Sequence, residues 1–393
     1  MLKPLLLALL VSSRAMAENP RRIELAPGGY VHFDARRTLT EDQAHEMTIR
    51  RLRFRLDGSA GPAFRFRTLL DFAGSKLTLL DAWGELVVAP QLQLRAGKDK
   101  SQFGIERLQS ATQMVFVERA FPSSLAPNRD IGVWIRGDLA GRKVHYAVGI
   151  VDGVADNAVL EGETDGVLEY NAHVLVSPFA SHPSLGDLAV GGATTFGPTH
   201  GSLTATGLTG IRSAAQATIV KYTTGADSAA TAVADGYRTR FAAHGYYYRG
   251  PAGVLVEYVR DHEPVSLLGV QTAVDDHAWQ VAASVAVTPG DHPSYKGIKP
   301  VHPFDPSKSH YGALELGARF STLSMDEASA EAGITSAASS AQTAREFTVG
   351  ANWYLSEVVK LQLDYALTQL TPFAGGPERP SEHVLAMRLQ AAI

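Results

Sequence analysis

Cysteine is absent from this sequence, which excludes a disulfide framework and any thiolate metal site. Also missing is an apolar run of the roughly 20 residues that a bilayer-crossing helix requires. There is no basic excess either: 36 Lys and Arg face 40 Asp and Glu, a formal charge of -4, which argues against a polybasic nucleic-acid binder. No glycine-rich strand–turn–helix cradle for phosphates appears. His182, His200, His292, His302 and His310 fall in loop-like stretches without ligand spacing. Asp291, His292 and Ser294 are close in sequence, but a catalytic triad is a spatial arrangement, and adjacency does not make one. The reading is of a protein that is not an enzyme and has no cofactor, no metal site and no nucleic-acid partner.

What is present begins with an export pattern. Lys3 gives a positive start, Leu5 to Val11 an apolar core, and Ala15-Met16-Ala17 a small-residue cleavage pattern. Residues 1–17 are therefore expected to be a signal peptide, cut before Glu18. Of the 36 basic residues, Lys3 and Arg14 would leave with it, so residues 18–393 would carry 34 basic against 40 acidic groups, a charge of -6.

The most informative stretch runs from Met47 to Val88. Arg51, Arg53 and Arg55 share one parity, and Leu52, Phe54 and Leu56 share the other. Successive side chains of a strand point to opposite faces, so this spacing makes one arginine face and one apolar face. Arg65, Arg67, Leu69 and Asp71 oppose Phe64, Phe66, Leu70 and Phe72; next, Asp81, Trp83 and Glu85 oppose Leu80, Ala82 and Leu86. The pattern alone fits a soluble sheet with a solvated basic face, or a barrel that is apolar toward lipid and charged toward a water-filled lumen. An export signal without a spanning helix favours the barrel.

Similar strands recur along the chain, punctuated by Asp57-Gly58, Ala89-Pro90, Gly250-Pro251 and Thr288-Pro289-Gly290. A weak, alanine-rich alternation lies at 214–222, and 265–287 reads as one strand or a pair. The fold expected is all-β: a transmembrane antiparallel β-barrel of about 16 strands over residues 18–393, with strands of about 9–11 residues joined by loops. Between Lys98 and Asp130 the alternation stops. So long a connection in a compact meander suggests a binding loop folded into the lumen; the other reading is an external loop with its own small cluster.

Several ordered segments resemble the phosphate-selective porin family of Gram-negative outer membranes. They include Arg50-Arg51-Leu52-Arg53, Leu70-Asp71-Phe72-Ala73-Gly74, Phe116-Val117-Glu118-Arg119-Ala120, Leu125 to Gly132, Ala234 to Arg240, Tyr295-Lys296-Gly297-Ile298-Lys299-Pro300 and Pro303-Phe304-Asp305-Pro306. The resemblance implies a sixteen-stranded outer-membrane channel, usually a homotrimer, with inward-folded loops and basic residues lining an anion path. The chain departs from the pattern in ending Ala391-Ala392-Ile393, where such barrels commonly end on an aromatic residue.

An anion in a narrow channel loses water, and guanidinium and ammonium groups replace part of that shell. The wall candidates for this work are Arg51, Arg53, Arg55, Arg65 and Arg67; the constriction candidates are Lys98, Lys100, Arg107, Arg119 and Arg129. Lys296 and Lys299 read as a vestibule or structural loop. Asp57, Asp71, Asp81, Glu85 and Glu118 are near enough in sequence to pair with some of these cations. The function expected is passive diffusion of small anions, phosphate foremost, across the outer-membrane lipid. The alternatives are a weakly selective general porin and a plugged structural or surface-binding barrel.

Overall fold

The computed structural model describes residues 23–39, 45–159, 165–182, 184–227 and 229–393; the expected signal peptide lies outside them. The first nine strands are β1 (Ile23–Thr38), β2 (His45–Ala60), β3 (Phe64–Asp71), β4 (Thr78–Ala89), β5 (Leu92–Lys100), β6 (Arg129–Leu139), β7 (Val144–Val151), β8 (Glu169–Val176) and β9 (Leu188–His200). A small ribbon follows, β10 (Ile211–Arg212) with β11 (Thr218–Val220). The rest are β12 (Val233–Arg249), β13 (Ala252–Leu267), β14 (Val270–Ala286), β15 (Ala313–Ser324), β16 (Ala341–Tyr354), β17 (Val359–Pro372) and β18 (Glu382–Ala392).

All but the ribbon form one closed antiparallel barrel of sixteen strands. β9 pairs directly with β12, and β18 returns to β1. The seam is tied by Gly29 and Ile393, each donating its N–H to the other's carbonyl at 2.9 Å. Closure leaves no edge, which matters because an unpaired backbone group in hydrocarbon costs several kcal/mol.

Alternation then sorts the side chains. Leu52, Phe54, Ile135, Val148, Phe241, Phe347 and Leu389 stand exposed on the outer face. Asp34, Glu257, Gln280, Glu315, Asn352, Gln362 and Arg388 are buried inside. Apolar surface thus faces lipid while polar groups pair within the lumen.

Two sequence expectations shift. The alternation at 214–222 is no wall strand: only Thr218–Val220 is extended, and it pairs locally inside the β9–β12 connection. The 265–287 stretch is the end of β13, a tight turn at Leu268-Gly269, and β14. Leu268 and Gly269 both take positive φ (54° and 75°), as a two-residue hairpin turn requires.

Two bulges also break parity. The register slips between Leu69 and Leu70, so that Asp81 opposes the first and Leu79 the second. Leu80, expected to share the outer face, is thereby turned in and buried. The slip between His32 and Phe33 skips Arg50, since His32 opposes Arg51 and Phe33 opposes Ile49.

Most connections at one end are short: 61–63, 90–91, 140–143, 250–251 and 355–358. At the other end lie 101–128, 152–168, 201–232 and 325–340. Outer-membrane barrels keep short turns on the periplasmic side. The exceptions are 177–187 and, far longer, 287–312, both at the short-turn end.

At the β1–β18 seam, Arg388 is fully buried and donates through Nε and Nη2 to the two Asp34 carboxylate oxygens, both at 2.7 Å. Removing one partner of such a pair strands the other charge, at a cost of about 3–5 kcal/mol. Asp34→Asn is expected to lower the temperature at which the compact barrel band converts to the unfolded band in detergent electrophoresis. An unchanged transition would show that the pair does not hold the seam.

Candidate functional site

The segment 101–128 folds into the lumen and is mostly buried. Gly104, at φ 71°, turns the chain into a single helical turn, α1 (Ile105–Leu108). The Ile105 N–H at its start donates to Glu257 at 2.5 Å. Lys100 Nζ closes its other end, donating to the carbonyls of Arg107, Leu108 and Gln109 at 2.9–3.0 Å. Phe103, Phe121 and Leu125 pack with Val259, Ala278 and Leu323, an apolar patch on the inner face of β13–β15.

The rest of the segment hangs on the adjoining wall, β16–β18, by its own backbone. Thr112 and Met114 carbonyls accept from Lys360, the Val115 carbonyl from Asn352 and Gln362, and the Val117 carbonyl from Arg388. Val117 N–H donates to Asp364 at 2.6 Å. From the short-turn end, 287–312 reaches up to meet it: Tyr295 Oη donates to the Ile105 carbonyl at 2.6 Å, and Gln109 donates to the Tyr295 carbonyl at 2.7 Å.

The lumen is thereby filled along β13–β18 and left open along β1–β6. Two chambers occupy the open side. The one nearer the short-turn end has a volume of about 460 Å³ and is lined by Arg50, Arg51, Arg53, Arg55, Arg67, Lys100, Arg107, Arg119 and Arg129, against Asp81 and Asp99. The one nearer the long loops, about 510 Å³, is lined by Arg50, Arg51, Arg107, Arg119 and Arg212, against Glu118 and Glu346. Arg50, Arg51, Arg107, Arg119 and Asn157 line both, so the path narrows where these residues meet.

The cations divide by partner. Arg53 pairs with Asp71 at 2.7 Å and also donates to Tyr30 Oη. Arg55 and Arg67 share Asp57 at 3.0 and 2.6 Å, and Arg129 pairs with Asp81 at 2.8 Å. Arg50 stands 3.8 Å from Glu118. Arg51, Lys100, Arg107 and Arg119, by contrast, have no carboxylate within ion-pair distance among the described residues. Lys100 spends its donors on α1. Arg119 gives Nε to the Glu106 carbonyl and Nη2 to the Gln109 carbonyl, and Arg107 gives Nη2 to Ser123 and Asn157. Among the described residues, each of these two guanidinium groups keeps Nη1 free of protein acceptors, and Arg51 uses only Nη1, toward His32.

This crowding shows in acidity. Burial first, then the neighbouring Arg119 charge, pulls Arg107 below the usual guanidinium range; burial does the same for Arg119, partly offset by Glu106. Burial would push Glu118 up, but Arg50, Arg388, Arg36 and Arg51 outweigh it and hold the carboxylate below its usual range.

Of the ten residues expected from sequence, eight line the first chamber. Arg65 does not; it is half exposed on β3, with Glu85 at 3.9 Å. Lys98 does not either; it is buried in β5, in register with Ala82 and Ile131. Lys296 and Lys299 are exposed at the short-turn end, where Lys299 pairs with Glu357 at 2.7 Å. Sequence reasoning missed Arg50, which strict alternation points outward and the bulge returns to the path. The doublet Arg50-Arg51, two cations at opposite parities, was the available signal.

The comparisons agree with this architecture. A family model described as phosphate-selective porin O and P matches residues 27–393. No curated protein matches at the sequence level. Among solved structures, the outer-membrane channel DcaP of Acinetobacter baumannii is similar at 11% identity and TM-score 0.63, covering 96% of this chain and 99% of that one. An anion-selective porin from Comamonas acidovorans is similar at 10% identity and TM-score 0.60, covering 95% and 100%. The trimer form of OmpT of Vibrio cholerae follows at 11% identity and TM-score 0.57, covering 94% and 99%. At such identities these structures speak for the fold, a closed barrel of the outer membrane. With the model spanning nearly all of the barrel, the chain belongs to the phosphate-selective porin O and P family, an outer-membrane channel.

Proposed function

We propose that this channel passes small anions by passive diffusion, phosphate foremost. The observation that carries the reading is the narrow zone shared by the two chambers, where Arg51, Arg107 and Arg119 converge without carboxylate partners. Free guanidinium N–H groups there can replace the water an anion sheds, and charge-assisted bonds to phosphate oxygens are the strong ones. Release is helped because the remaining wall cations are tempered by Asp57, Asp71 and Asp81 and hold an anion only moderately. The chemistry is desolvation and re-solvation, with no bond made or broken.

The pairing of Arg53, Arg55, Arg67 and Arg129 with acids favours the second reading, a weakly selective general porin. A plugged barrel is disfavoured by two adjoining chambers of about 460 and 510 Å³. The Comamonas porin's anion selectivity and the OmpT trimer support extending both properties to this chain. We propose a homotrimer exported on residues 1–17. Native mass spectrometry of protein from outer membranes is expected to give three copies of a chain beginning at Glu18; a monomer or an uncut N-terminus would count against the respective half.

In planar bilayers under a salt gradient, the reversal potential is expected to show preference for anions, and low phosphate to block chloride current. A cation-favouring or neutral reversal potential would defeat the anion reading, and anion preference without phosphate block would leave a general anion porin.

The partner pattern separates two kinds of variant. Arg51→Gln, Arg107→Gln or Arg119→Gln removes a charge-assisted contact of about 1.5–3 kcal/mol, so the half-blocking phosphate concentration is expected to rise roughly ten- to a hundred-fold. Asp57→Asn releases both Arg55 and Arg67, and the anion-to-cation permeability ratio is expected to increase. A decrease would mean that Asp57 orders the two arginines more than it neutralises them.

A further inference from the structure

The wall arginine at the narrow zone has an unusual holder. Arg53, Arg55, Arg67 and Arg129 are oriented by carboxylates, but Arg51 is oriented by an imidazole: its Nη1 lies 3.3 Å from His32 Nδ1. A guanidinium has donors only, so His32 Nδ1 must accept and carry no proton. The ring's hydrogen then sits on Nε2, which is 3.1 Å from Gln390 Oε1 and donates to it. Gln390 Nε2 in turn donates to the Thr112 carbonyl at 3.2 Å. Thr112 belongs to the segment that fills the lumen.

The barrel register makes this chain of bonds possible. His32 on β1 directly opposes Arg51 on β2 and Gln390 on β18. The three side chains form one row across the seam, and the bulge that skips Arg50 sets the register of that row. His32 is fully buried, with the Tyr30 ring 4.9 Å away on one side. Both its nitrogens are engaged, so it has none to offer an anion.

Resting on the anion-path reading above, we propose that His32 is a positioning residue: a neutral, Nε2-protonated imidazole that aims Arg51 into the path and ties its position to the lumenal segment through Gln390. A carboxylate at this position would aim Arg51 equally well but cancel its charge. The imidazole orients without neutralising, which is what the one uncompensated wall arginine at the narrow zone needs.

The test is phosphate block of chloride current in five proteins: the unmodified chain, His32→Leu, His32→Gln, Arg51→Gln and the double variant of His32→Leu with Arg51→Gln. Losing one aiming hydrogen bond is expected to raise the half-blocking phosphate concentration roughly two- to ten-fold in His32→Leu. His32→Gln, whose amide can accept from Arg51 and donate to Gln390, is expected to restore most of it. In the Arg51→Gln background, His32→Leu is expected to add little, the signature of one shared interaction. An unaltered His32→Leu channel, or an equal shift in both backgrounds, would overturn the proposal. A second measurement stands apart from selectivity: 15N spectra of labelled histidine are expected to show His32 with Nδ1 unprotonated and Nε2 protonated. An Nδ1-protonated or doubly protonated ring overturns the relay even if the channel prefers anions, whereas the expected tautomer in a channel without anion preference would place the failure in the functional reading.

Discussion

Every feature of this chain answers to one constraint: backbone N–H and C=O groups at bilayer depth must be paired within the protein, because hydrocarbon offers no partners. Closing sixteen strands through the β1–β18 seam meets it. Closure creates an inside and an outside, and the two-residue period of a strand assigns each side chain to one of them. The lumen therefore collects the polar residues, and with them a problem of the opposite kind. Charges such as Arg238, Arg240, Arg319 and Arg388 are buried and need partners of their own.

Partnering is where the two halves of the lumen diverge. From β8 and β12 round to β18 and across the seam to β1, Arg238 meets Asp261 and Glu263, Arg240 meets Asp156 and Glu169, Arg319 meets Glu346, and Arg388 meets Asp34. Most of these pairs tie strand to strand, Asp156 ties a loop to the wall, and all contribute little net field. The lumenal segment completes the neutralised side by giving its own carbonyls to Lys360, Asn352 and Gln362. Facing the open path, Arg51 on the wall and Arg107 and Arg119 on the segment are tied by carbonyls, an amide and an imidazole, groups that fix a guanidinium in place and leave its charge in force. The field is local because neutralisation is local.

Much of this was legible in the sequence, for physical reasons. The parity of Arg51, Arg53 and Arg55 against Leu52 and Phe54 gave the barrel's two faces, since period-two alternation needs no tertiary knowledge. The loss of alternation after Lys98 marked the inward segment. Register was not legible: the slips at His32/Phe33 and Leu69/Leu70 arise from pairing with neighbouring strands, so Arg50 is absent from the path candidates and Leu80 is placed with the outer face. Pairing choice was not legible either. Asp57, Asp71 and Glu118 were visible as possible partners, but which cations they would spare depends on distances across the lumen. His32 and Gln390 are hundreds of residues apart, and only closure makes them neighbours.

The long 287–312 segment at the short-turn end has a mechanical consequence. Through Tyr295 it touches α1 from below, while the wall of β15–β18 holds the rest of the inward segment from the side. The narrow zone is an arch with abutments on two sides, and Arg107 and Arg119 are carried near its crown. Such an arch cannot sag toward the periplasm under the push of a permeating ion without breaking bonds at both supports. The aperture is thus set by the barrel's fixed circumference, and its dimensions belong to the wall as much as to the loop that spans it.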